Sequence, residues 1–180
     1  MGEQSPVVEF VTGREIYERV ILGAVPSAEQ FVWIGTADIK DLYVAAGAHR
    51  MVPFLQVLSE LIDDGVEVRL IHAKEPGPAF RKDFDEYPSL LDGLEQILCP
   101  RVHFKCVVVD GSFAYSGSAN LTGAGMGAKS DSRRNFESGI VTGDRALIGR
   151  IMQQFDEVWM GKHCADCGRR EFCADYQDLL

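Results

Sequence analysis

His103 and Lys105 are the residues of this chain best suited to chemistry on an anion. They stand two apart, so on an extended strand both side chains leave the same face. An imidazole there can act as a nucleophile or move a proton, and the neighbouring ammonium supplies fixed positive charge for a phosphate. Four residues separate Lys105 from Asp110, and six more separate Asp110 from Gly117-Ser118-Ala119-Asn120. Asp110-Gly111 is a tight-turn pair, and Phe113-Ala114-Tyr115 can return as the second strand of a hairpin. That return would carry the Gly-Ser-x-Asn segment back beside His103 and Lys105. Gly117 lets a ligand approach the backbone, and Ser118 and Asn120 offer neutral donors.

This spacing, H-x-K-x4-D-x6-G-S-x-N, resembles the signature of the phospholipase D superfamily and matches it at every defined position. Within that superfamily it looks like a single-motif, bacterial nuclease-like member. Downstream, Arg134-Asn135-Phe136-Glu137 precedes an apolar strand, Gly139-Ile140-Val141. In the superfamily an acidic residue at the start of this later strand attends the motif histidine, and Glu137 is the residue that matches. The resemblance rests on residues 101–141 and implies a catalytic set of His103, Lys105, Asp110, Ser118, Asn120 and Glu137.

The implied reaction is displacement at phosphorus. His103 attacks as a neutral imidazole to give a phosphohistidine, a second group protonates the departing oxygen, and that group then activates water. Lys105, Asn120 and Ser118 would hold the non-bridging oxygens. Glu137 would accept from the ring nitrogen of His103 that faces away from phosphorus. Asp110 is the weakest member, because at a strand end before Gly111 it is better placed to bond turn amides. Catalysis on this plan requires no metal and no other cofactor, since lysines neutralise the charge.

Nucleophile and leaving group lie on opposite sides of phosphorus, so one imidazole cannot serve both. The chain carries one motif, and His49, His72 and His163 stand in dissimilar settings. A two-fold homodimer sharing one site is therefore expected. Single-motif dimeric relatives are chiefly nucleases, and no hydrophobic loop suggests docking on lipid, so nucleic acid is the expected substrate. The alternatives are a non-catalytic interaction module of the same fold and a phospholipase acting on phospholipid head groups.

The elements that must position these residues alternate between two periodicities. Val7–Val11 reads as a strand, and Thr12 to Glu15 as a capping box before a helix burying Ile16, Val20, Ile21 and Ala24. Phe31–Gly35 is a short buried strand, followed by a polar loop or helix start over 36–41. Pro53 opens a helix striped by Phe54, Leu55, Leu58, Leu61 and Ile62; Gly65 stops it before a strand over 66–71. Residues 74–90 read as a long surface excursion, either a flap over the site or a plain connection. Residues 102–109 and 113–118 form the motif hairpin, 137–142 another strand, and Asp144 caps a helix that buries Leu147 or Ile148, Ile151, Phe155 and Val158-Trp159. The alternation argues an α/β sandwich with a central mixed sheet, and the resemblance implies that it is the phospholipase D-like one, its sheet flanked by helices. It divides into a domain over 1–160 and a short Cys-rich tail over 161–180.

Bulk composition, 46% hydrophobic and 25% charged, is ordinary for a soluble globular protein. A length of 180 residues suits one domain, and no apolar run approaches the roughly 20 residues of a membrane span. The first residues lack a basic, apolar leader, so a cytoplasmic location is the default. The net charge of −9 lies wholly in residues 1–100, with 8 basic and 17 acidic side chains; residues 101–180 hold 10 of each. Arg101, Lys129, Arg133 and Arg134 near the motif can make it locally positive.

The tail carries its own pattern. His163-Cys164-x2-Cys167-x5-Cys173 is a metal-like cluster in a reducing compartment rather than a disulfide framework. Three thiolates with His163, or with Cys99 as the fourth ligand, could complete a tetrahedral zinc site. An iron–sulfur cluster and free or redox-paired thiols are the other readings.

Overall fold

Apolar runs that alternate with amphipathic ones set the architecture of the computed structural model, which describes residues 8–40, 42–46 and 50–175. Strand β1 (Val8–Thr12) leads into a helical run. In that run α1 (Arg14–Ile16) passes without a break into a π-helix (Tyr17–Ala24) and a 3-10 turn (Val25–Ser27). Only half of the expected capping box forms, with the Thr12 amide donating to Glu15 at 3.3 Å. Then come β2 (Phe31–Thr36), a small antiparallel pair β3 (Tyr43–Ala45) and β4 (Met51–Pro53), α2 (Phe54–Asp63) and β5 (Glu67–His72). The motif region supplies β7 (Lys105–Val109) and β8 (Phe113–Gly117), followed by β9 (Ser138–Thr142) and α5 (Arg145–Trp159).

Residues 74–90, expected as an irregular excursion, instead fold into α3 (Pro78–Asp85) and α4 (Pro88–Gly93), each opened by a proline. Phe80 and Leu90 are buried, so the segment is packed structure rather than a flap. It leads into a further strand, β6 (Leu94–Leu98).

Seven strands form one mixed sheet in the order β1-β9-β8-β7-β2-β5-β6. β2, β5 and β6 run parallel, whereas β7, β8, β9 and β1 continue antiparallel from β2. One face packs on the first helical run and α2 through Tyr17, Ile21, Leu58 and Leu70. The other packs on α5, where Ile148 and Phe155 meet Trp33, Val108 and Ala114. The Phe155 and Trp33 rings stack at 5.1 Å. Helix α5 starts as expected, with the Leu147 amide donating to Asp144 at 2.8 Å. Strand β7 is buried along its whole length between β2 and β8, which explains its unbroken apolar run from Cys106 to Val109. The motif therefore hangs on the most enclosed strand of the sheet.

Candidate active site

His103 lies just before β7 rather than inside it, because the strand starts at Lys105. The extended backbone still sends both side chains to one side. Lys105 Nζ donates to the His103 carbonyl at 2.6 Å and stands 3.3 Å from His103 Nδ1. The two differ sharply in exposure: Lys105 is 6% exposed, while His103 faces solvent. Burial pushes the Lys105 ammonium below its ordinary pKa, and the Glu137 carboxylate nearby partly restores it. An ammonium only donates, so a bond from Lys105 to Nδ1 requires the ring tautomer that carries its proton on Nε2.

The hairpin brings the second half of the motif alongside. Gly117 pairs with Lys105 across β7–β8 and with Gly139 across β8–β9. The room at Gly117 is not left for a ligand. A Cβ there would overlap the Tyr115 hydroxyl and the Ser138 carbonyl. Tyr115 is 1% exposed, accepts the Ala119 amide at 3.3 Å, and has its pKa pushed up to about 12 by burial. A glycine facing a glycine on the next strand was the available sign that a large side chain crosses here.

Ser118 and Glu137 bond each other, hydroxyl to carboxylate. Asn135 donates to the other Glu137 oxygen at 3.1 Å, and the Ser118 and Ser138 backbones cross-link at 2.9 Å. The contact expected from His103 to Glu137 is thus replaced: Glu137 takes Ser118 and Asn135, and His103 takes Lys105. Asn120 Oδ1 accepts the Ala37 and Asp38 amides at 3.2 Å each, which ties the loop after β2 to the motif. Thr36 completes that tie by accepting the Leu121 amide at 3.0 Å. Neither Asn135 nor Thr36 carried a signal in the sequence.

Asp110 does not join this group. It sits at the far end of β7, some 17 Å of strand away. Its carboxylate accepts the amides of Glu29, Gln30 and Phe31 at 2.8–2.9 Å. Burial raises its pKa, but those three donors outweigh it and hold the carboxyl below its usual range. Asp110 and Gly111 both adopt positive φ, 52° and 62°, at the hairpin turn. The motif aspartate is a structural brace here.

The other histidines are committed elsewhere or undescribed. His72 is buried, with Nδ1 2.8 Å from the Lys74 carbonyl, and His163 faces Glu157 at 3.6 Å. His49 lies outside the described residues. Of the nearby basic residues, Arg134 pairs with Asp131 at 2.7 Å, and Arg101 turns towards the cysteines.

Cys99, Cys164, Cys167 and Cys173 line one cavity of about 250 Å³, joined by Arg101 and His163. The Cys173 thiol is pushed up by burial and by the neighbouring Cys99 and Cys164. Among the described residues, no three His, Cys, Asp or Glu donors converge on a metal position as the side chains stand.

Residues 21–159 match the family model described as cardiolipin synthase, PLD-like domain. No curated protein matches the chain. Among solved structures it is similar to Nuc from Salmonella typhimurium, a phospholipase D family member, at 18% identity and a TM-score of 0.60 over 84% of this chain and 93% of that one. NucT from Helicobacter pylori gives 14% identity and 0.59 over 83% and 94%. The archaeal chromatin protein TrmBL2, described as having a novel mode of DNA binding, gives 14% identity and 0.58 over 88% of this chain and 54% of its own. Likeness at these identities speaks for the fold.

Proposed function

Because this chain belongs to the phospholipase D-like family, we propose that it is a phosphodiesterase, and specifically a nuclease, working through a phosphohistidine in a site shared by two copies. One observation carries the reading: a buried ammonium on the central strand held against a solvent-facing imidazole. Such a lysine needs an anion to repay its desolvation, and a phosphodiester is the anion an adjacent nucleophile can cleave.

An arriving phosphate draws Lys105 from His103 Nδ1 to its non-bridging oxygens. The solvent-facing ring then changes tautomer through water, its Nε2 proton leaving as Nδ1 gains one, so that Nδ1–H turns towards Glu137 and the Nε2 lone pair is free to attack. The N–P bond forms as the P–O bond to the leaving group breaks. The departing oxygen takes its proton from the imidazolium of His103 in the second copy. Water next attacks phosphorus, the N–P bond breaks, and that second imidazole takes the proton from water. The commitment of His72 and His163 to other contacts supports drawing the second imidazole from a second copy. Nucleic acid is preferred over phospholipid because the structural neighbours Nuc and NucT are similar over nearly their whole length.

The test is hydrolysis of bis-p-nitrophenyl phosphate and of labelled oligonucleotides without added divalent cation. The wild type should cleave both and yield an acid-labile, alkali-stable phosphoryl label on His103, and His103→Ala should do neither. Undiminished cleavage by His103→Ala would end the reading. A folded wild type that binds oligonucleotide without cleaving it would favour the interaction module, and one that turns over only phospholipid vesicles would favour the lipid enzyme.

A further inference from the structure

None of the five cysteines has a part in the chemistry above, yet four of them gather around a single cavity. Cys99 comes from the end of β6, and Cys164, Cys167 and Cys173 from the segment after α5, at least 65 residues later. None is in a disulfide. We propose that Cys99, Cys164, Cys167 and Cys173 form a four-thiolate zinc site that fastens the segment after α5 to the loop leading into His103.

The backbone already presents them for this. The Cys167 amide donates to the Cys164 carbonyl at 3.1 Å, a turn that sets two thiols on one side. Cys173 is seated against β6, with its thiol 3.5 Å from the Leu98 carbonyl, and Asp175 accepts the Leu98 amide at 2.6 Å. Cys99 is the next residue, anchored through its amide to the His72 carbonyl at 2.8 Å. Four thiolates around one space suit a tetrahedral, soft-ligand ion, and zinc needs no redox partner. Arg101 at the cavity offsets the net charge of a four-thiolate complex. The thiols line the cavity without yet converging, so the ion draws them inward as it closes the space.

His163 is not the fourth ligand. It is 54% exposed and its Nε2 faces Glu157 at 3.6 Å, whereas Cys99 lines the cavity close enough to Cys173 to act on its thiol. With four protein ligands the ion has no open position for water, so its work is structural. Cys99 lies four residues before His103, and the Val102 amide closes a turn onto the Cys99 carbonyl at 3.0 Å. Fixing Cys99 therefore fixes the approach of the loop to the nucleophile.

The experiment measures metal rather than turnover. Protein purified under reducing conditions and reconstituted with zinc chloride should hold about one zinc per chain and shield its thiols from Ellman's reagent. Cobalt in its place should give the visible absorption of a tetrahedral thiolate complex. Cys99→Ser and Cys173→Ser should each lose at least about tenfold in zinc affinity, while His163→Ala keeps it. Wild-type protein that takes up no stoichiometric zinc, that carries iron instead, or that depends on His163 and not on Cys99 overturns the assignment. Should the serine variants fail to fold, the wild-type zinc count and cobalt spectrum still decide it. The result is separable from the phosphodiesterase reading, since a chain can hold zinc and cleave nothing, or the reverse.

Discussion

An ammonium 6% exposed is a liability for folding, and Lys105 is held in that state beside an exposed imidazole. Replacing it with methionine removes a desolvated charge while keeping the volume, so Lys105→Met should be neutral or stabilising by about 1 kcal/mol while activity falls about 10²–10³-fold. Thermal melting and phosphodiester turnover on the same sample check this, and a marked drop in melting temperature would contradict it. The pH dependence has a definite sign. Burial lowers the folded pKa of Lys105 below its unfolded value, with Glu137 acting weakly the other way. Its penalty is therefore fully present below the folded pKa and fades as pH rises through the folded and then the unfolded value. In Lys105→Met that alkaline limb should disappear from the stability curve.

At the scale of elements, the hairpin β7–β8 depends on two positions that look catalytic in the motif but act on packing. Asp110 ties the turn to the start of β2 through three amides. Asp110→Asn should destabilise by about 2 kcal/mol and leave kcat/KM within about twofold. Because its folded pKa is depressed, the stability it contributes is present above the unfolded value and is lost as pH falls through the folded one. Urea melts should thus separate wild type and variant near neutrality and converge in acid. Failure to converge, or a large loss of turnover, would return Asp110 to the site. Gly117 is the second position. Gly117→Ala forces Tyr115 and the β8–β9 backbone apart and should cost about 2 kcal/mol, read as a lowered urea midpoint, with Tyr115→Phe relieving little because the Ser138 carbonyl is also in the way.

At the scale of the molecule, the proposed sharing of one site by two single-motif chains would make activity a property of pairs. If both copies supply His103 to one site, a mixed dimer with His103→Ala is dead. After subunit exchange at equal amounts, activity should fall to about one quarter of the all-wild-type value rather than one half. A value at one half, or a fully active species that sediments as a monomer, would show that each chain works alone. The net charge of −9 does not oppose a nucleic-acid substrate of this kind, because residues 101–180 are balanced at 10 basic and 10 acidic side chains.

What the sequence determined by itself was local or fixed by spacing. The Asp144 cap, the apolar run of β7, the Asp110-Gly111 turn and the His103–Lys105 pairing each depend on residues a few positions apart, whose geometry follows from strand, turn and helix periods. Less legible were α3 and α4, whose short polar runs bury few side chains such as Phe80 and Leu90, β3 and β4, three residues each and too short for a pattern, and β6, which exposes Glu95 and Gln96 side by side and so breaks the alternation. Partner choice was decided only in three dimensions. Ser118 and Asn135, not His103, occupy Glu137, and the amides before β2 occupy Asp110. A polar side chain bonds whatever donor or acceptor the fold brings within about 3 Å, and strands distant in the chain set that distance. The gathering of Cys99 with Cys173 against β6 is decided the same way, by a sheet edge and a tail that meet only after folding.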